Sequence, residues 1–191
     1  LGLLTFALAT GMVYGRFSKP NAKIKYSNHA VIAPYQAING FMFRLLNPHA
    51  NQLLEVEVNI SRGAKFLLVG LPDNAVKESH YRIAAALKNI GYKIPVKEII
   101  INLAPADLKK EGSAYDLPIA LGILCGSQQI KPGIFNDYLV MGELSLDGVL
   151  RPVKGVLSMA MKAKKMGLKG IIIPQKNILE AQLVNGIDIV A

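Results

Sequence analysis

The sequence predicts an α/β domain over residues 55–191, preceded by a truncated apolar helix (1–17) and a few β-strands (18–54). Three observations carry that reading. From Phe66 onward, short apolar runs (FLLVGL, EIIINLAP, YLVMGELS, GIIIP, IDIVA) alternate with segments of helical period, the rhythm of a sheet flanked by helices. Of the 191 residues 51% are hydrophobic, enough for a sizeable core and too many for bulk disorder. Charge is spread unevenly: the chain carries +9, yet residues 1–54 hold five basic residues and no acid, while 61–191 hold 17 basic and 11 acidic ones. The mean hydropathy of +0.31 is therefore an average over unlike pieces, and net charge by itself specifies no nucleic-acid partner.

Residues 1–15, LGLLTFALATGMVYG, contain no charge and are followed by Arg16, Lys19, Lys23 and Lys25. As a helix this run would span roughly 22 Å against a hydrocarbon core of ~30 Å, the length of a truncated membrane helix. The basic flank favours that reading under the positive-inside rule. A signal peptide ending near Ala7-Leu8-Ala9 lacks its charged opening region, and a buried soluble helix leaves the flank unexplained. A start at Leu1 suggests a fragment. Between Ile24 and Ile60, KIKYS, AVIAPY, GFMFRLL and LLEVEVNI read as strands. In the last, Leu54, Val56, Val58 and Ile60 alternate with Glu55, Glu57 and Asn59, the period of a half-buried strand.

Four helices follow. Asp73 is the expected N-cap of the first, with Val76, Ile83, Leu87 and Ile90 on one stripe and Gly91 as its stop. The second opens at Asp116 with Pro118 in its first turn and is apolar on most sides, so it should be central. The third runs from about Gly155 to Met166, with Lys162, Lys164 and Lys165 at its C-terminal end complementing the helix dipole; nucleic-acid contact by these lysines is the competing reading. The fourth spans about Asn177 to Val184.

Few residues offer chemistry. Cys125 lies in an apolar run and reads as a buried small hydrophobe, and His29, His49 and His80 show no ligand spacing, so neither a disulfide nor a metal site is expected. GxxxxGK[ST] is absent and no GxGxxG opens a helix; ATP hydrolysis and a resident cofactor are not expected. Gly142 to Gly148 reads as a strand and hairpin turn, with Asp147-Gly148 at the bend. Ser113 beside Lys109 and Lys110 invites a Ser-Lys peptidase reading, against a solvated charged loop.

Two resemblances extend this. The order RFSKP, YSNHAVI, MFRL, LLEV resembles inward-rectifier potassium channels where the second membrane helix enters the cytoplasmic domain. That resemblance implies anionic-lipid binding by Arg16, Lys19 and Lys23, with inner-membrane association. No pore helix or selectivity filter accompanies it. The blocks VEVNISRG, FLLVGLPDNAVKES, INLAPADLKKEGSAYDLPIALGIL, GELSLDGVLRPVKGVL and GIIIPQKN resemble the N-terminal domain of the magnesium-chelatase-related ComM/YifB proteins.

The second resemblance implies a cytoplasmic domain with the Lon protease fold, an AAA+ module on its C-terminal side, a homo-oligomeric ring, and DNA processing during natural transformation. At the positions of the Lon serine and lysine it places Asp116 and Leu157, which implies a non-catalytic domain with Asp116 as a helix cap. The two resemblances join within Leu54 to Ser61. A chimeric reading frame is the leading expectation and a membrane-tethered fusion the alternative. On the chimera reading residues 1–54 pack poorly, the core lies in 61–191, and the α/β domain lacks its opening strand.

Overall fold

The computed structural model describes residues 39–47, 52–133 and 135–191. The elements in chain order are β1 (Asn39–Asn47), β2 (Gln52–Ser61), β3 (Phe66–Val69), α1 (Asn74–Lys77), α2 (Ser79–Asn89), β4 (Glu98–Ala104) and α3 (Asp116–Gly126). A single 3₁₀ turn, Phe135–Asp137, precedes β5 (Tyr138–Val140), β6 (Glu143–Leu144), β7 (Leu150–Arg151), α4 (Val156–Lys165) and β8 (Gly170–Ile172). A second such turn, Gln175–Asn177, leads into α5 (Ile178–Ala181) and β9 (Asp188–Val190).

Seven strands form one mixed sheet in the order β3-β4-β2-β1-β5-β8-β9, and β6 and β7 form a separate hairpin. The alternation in β2 positions the core. Val56 faces Leu103, Val58 faces Ile101 and Ile60 faces Ile99, so the apolar sets of β2 and β4 share one face. All six are buried, each stabilising the fold by about 1.5–3 kcal/mol relative to exposure. Ile83, Ala86 and Leu87 of α2 and Ile119, Ala120 and Ile123 of α3 close over them. On the other face, Leu139 and Ile171 meet Val156, Met159, Ala160 and Ala163 of α4 in a second core. The mixed α/β reading stands, and α3 is buried almost all round, as its composition requires.

Several details differ from the sequence reading. The expected first helix is two, because the chain breaks at Glu78, and Ile90 lies past the end of α2 and is 49% exposed. YLVMGELS divides between the main sheet and the hairpin. The expected fourth helix shrinks to a 3₁₀ turn and one α-turn. In the hairpin, Gly148 has φ +88°, a backbone conformation that favours glycine at the bend.

The largest correction concerns the residues before 55. β1 pairs with β2 along its whole length, from Asn39 opposite Ile60 to Asn47 opposite Gln52, and on its other side Arg44 meets Leu139 of β5. The sheet is continuous only through β1, and the expected join at Leu54 to Ser61 falls inside β2. A strand precedes β2 in the sheet, and the core takes in Leu54, Val56, Val58 and Ile60, so it is not confined to 61–191. The cause is backbone pairing: a central strand satisfies N–H and C=O groups on both sides. The expected helix of 1–17, Arg16, Lys19, Lys23, and the strands KIKYS and AVIAPY lie outside the described residues. Among the described residues, no helix is long and apolar enough to cross a membrane.

Candidate functional site

β3 and β4 are parallel, so the loops that follow them emerge at the same end of the sheet. Lys110 stitches them together. Its N–H donates to Leu71 O at 3.0 Å, and Asp73 N–H donates to Lys110 O at 2.9 Å. The Lys110 side chain is fully buried, and its Nζ donates to Pro105 O and, at 2.6 Å, to Leu108 O. Asp73 accepts from Val76 N–H at 2.8 Å at the start of α1 and from Gly112 N–H at 3.1 Å, fixing the glycine loop.

That loop delivers Asp116 to a closed site. Its carboxylate is completely buried and takes two bonds from Arg82, Nε at 2.7 Å and Nη2 at 2.9 Å, and a third from Leu144 N–H at 3.1 Å. Arg82 also donates to Ala75 O at 2.8 Å. One ion pair thus ties α1, α2, α3 and the hairpin together. The helix-cap role expected of Asp116 is corrected here. α3 opens at Asp116 with Tyr115 as its N-cap and no side-chain cap bond; of the two N–H groups a capping Asp116 would use, Pro118 has none and that of Ile119 is taken by Tyr115 O at 3.1 Å. With no such donor ahead of it, the carboxylate turns to Arg82. Burial pushes the Asp116 carboxyl up from its ordinary value against the pull of Arg82, while the bond to Asp116 raises Arg82.

The Ser-Lys pair is not assembled. Ser113 Oγ donates to Glu143, which also faces Arg151 Nη1 at 3.7 Å. Lys109 is exposed and pairs with Glu111 at 2.7 Å, and Lys110 is held by carbonyls. Leu157, second in α4, is half-buried, and its N–H donates to Glu180 at 2.9 Å. Asn177 both accepts from Val153 N–H (3.0 Å) and donates to Val153 O (2.9 Å), fastening the approach to α4. Cys125 is buried and its thiol is pushed up to about 11 by burial. His80 stacks on Phe66 with centroids 4.1 Å apart. Among the described residues, no group of three His, Cys, Asp or Glu side chains is placed to hold a metal.

Residues 56–177 match the family described as subunit ChlI of Mg-chelatase. The chain belongs to that family. Over 134 residues this ChlI-family domain is 48% identical to the uncharacterized protein YifB of Escherichia coli (strain K12), covering 70% of this chain and 26% of that protein. It is 45% identical over 134 residues to competence protein ComM of Haemophilus influenzae, with the same shares. The chain therefore spans about a quarter of the length of these relatives. Lon protease 2 of Bacillus subtilis (strain 168) is 29% identical over 174 residues, covering 81% of this chain and 30% of that protein. That share is more than residues 55–191 make up, so the Lon likeness reaches into the residues before 55. The ComM/YifB resemblance holds at the level of family. The channel resemblance of residues 1 to about 60 gains no support from these relatives.

Arg82 and Glu143 escaped the sequence reading. A signal for the first was present: a lone Asp116 at the head of an apolar helix needs a buried cation or several donors. Nothing local separates Lys110 from Lys109.

Lys110 has a consequence for pH. Burial pushes its ammonium below the ordinary lysine value of 10.5. The unfolded chain then binds the proton more tightly than the folded ChlI-family domain, so stability rises with pH from the folded value up to about 10.5 and falls as pH drops through the folded value. Denaturation at a series of alkaline pH values should show this rise in the natural chain and a flatter profile in Lys110→Met.

Proposed function

We propose that the α/β domain is a non-catalytic accessory domain of a magnesium-chelatase-related, ComM/YifB-like AAA+ ATPase. The observation that carries this is the Asp116 lock. On the Lon resemblance the serine position falls to Asp116 and the lysine position to Leu157; Asp116 is a buried carboxylate with three donors already on it. A carboxylate so held is not an attacking hydroxyl, and a leucine takes no proton. Ser113 donates to a carboxylate, with each neighbouring lysine held by other partners. GxxxxGK[ST] does not occur in the chain, so ATP turnover is assigned to the AAA+ module expected on the C-terminal side.

On this reading the domain is an accessory part of a homo-oligomeric ring whose motor processes DNA during natural transformation. Purified chain is expected to turn over neither casein nor ATP above a buffer control. Peptide turnover abolished by Ser113→Ala would refute the non-catalytic reading.

A further inference from the structure

Positive charge is concentrated in one part of the α/β domain. Residues 151–187 hold seven basic residues against one acid, Glu180, while the rest of 61–191 holds ten of each. This stretch supplies α4, β8 and α5 at one flank of the sheet. Val156, Met159, Ala160 and Ala163 turn α4 toward the sheet, so its opposite side meets solvent.

That side carries apolar groups as well as charge. Leu157 N–H donates to Glu180 at 2.9 Å and Lys164 Nζ to Asn185 O at 2.7 Å, so one row of α4 runs alongside residues 180–185 in the same direction. Met161 stands in that row, four positions after Leu157 and three before Lys164. Leu183 lies within the neighbouring stretch, and Leu179 is one turn earlier on α5. Met161, Leu179 and Leu183 are 59%, 80% and 71% exposed, and Leu157 beside them is half-buried. Exposed Lys176, three positions before Leu179, and exposed Lys165, four after Met161, stand at the two ends of this strip.

An apolar strip between cations narrows the choice of occupant. Single exposed apolar residues are ordinary, but three grouped along two adjoining helical segments and rimmed by charge mark an interaction surface. Phosphates would engage the lysines and leave the leucines and methionine in water, so nucleic acid fits only half of the face. Leu179 and Leu183 make one ridge and Leu157 and Met161 a second beside it, and such a pair of ridges seats the leucines of a third helix. Methionine adapts its shape to whatever side chain is laid on it. The cations at both ends select for acidic flanks.

We propose that the face formed by α4 and α5 docks an acidic amphipathic helix of a partner protein, its apolar side chains over Met161, Leu179 and Leu183 and its carboxylates on Lys165 and Lys176.

The test titrates the isotope-labelled full chain with a synthetic peptide of about 18 residues, long enough to hold a helix, with leucines at i, i+3, i+4 and i+7 and glutamates on both sides of that stripe. Amide shifts confined to residues 157–165 and 176–185 are expected. Leu179→Ser/Leu183→Ser and Lys165→Glu/Lys176→Glu should each weaken binding about tenfold or more, with the urea transition of the chain unchanged because all four side chains are exposed. A control peptide with lysine for glutamate should not bind. Binding that maps elsewhere, that either double variant retains in full, or that fails to appear at about 1 mM peptide would overturn the proposal. So would shifts of this face with duplex DNA or phosphatidylglycerol vesicles and none with the peptide.

Discussion

Asp116→Ala is expected to destabilise the domain by about 3–5 kcal/mol, measured by urea denaturation. The substitution takes two bonds from Arg82, whose side chain is 20% exposed, and leaves Leu144 N–H without its acceptor. Part of the loss comes from the orphaned charge and not from the pair's net value. Arg82→Met combined with Asp116→Leu should therefore recover much of the stability that either single change removes, because neither partner is left charged in the interior. A total of 5–15 kcal/mol is typical for a domain, so the single substitution brings the protein close to unfolding at ordinary temperature.

The second large effect concerns β1. A chain beginning at residue 48 keeps β2 but loses the strand that joins β2 to β5, and a chain beginning at residue 61 loses both central strands. Either truncation leaves two separate sheets, β3 and β4 on one side and β5, β8 and β9 on the other, with β2 added to the first in the longer form. Neither should show a cooperative urea transition, whereas residues 39–191 should. Cooperative unfolding of 61–191 with native-like stability would return the core to where the sequence reading placed it.

These two effects also mark the limit of what local pattern reveals. The alternation of Leu54, Val56, Val58 and Ile60 was legible because a half-buried strand writes its period into adjacent residues. The burial of α3 was legible for the same reason, its apolar residues falling on every side. The role of Asn39–Asn47 was not, since a central strand is defined by partners: Arg44 finds Leu139 across nearly half the chain, and no window of sequence holds both. Asp73 is placed at a helix start by its neighbours, and it sits there. Asp116 also stands at a helix start, but Pro118 offers no N–H, that of Ile119 goes to Tyr115 O, and Arg82, 34 positions away, captures the carboxylate. In the candidate site, Ser113, Lys109 and Lys110 stand close in sequence, but tertiary packing sends one lysine to solvent, buries the other and turns the serine to Glu143.

The claim that the Ser113 loop holds no serine nucleophile is tested most directly by labelling the natively folded chain with a fluorophosphonate probe and locating the modified residue by peptide mass. The account predicts no modification of Ser113 above that of a denatured control. Labelling of Ser113 in the native state, lost on Lys109→Met or Lys110→Met, would contradict it.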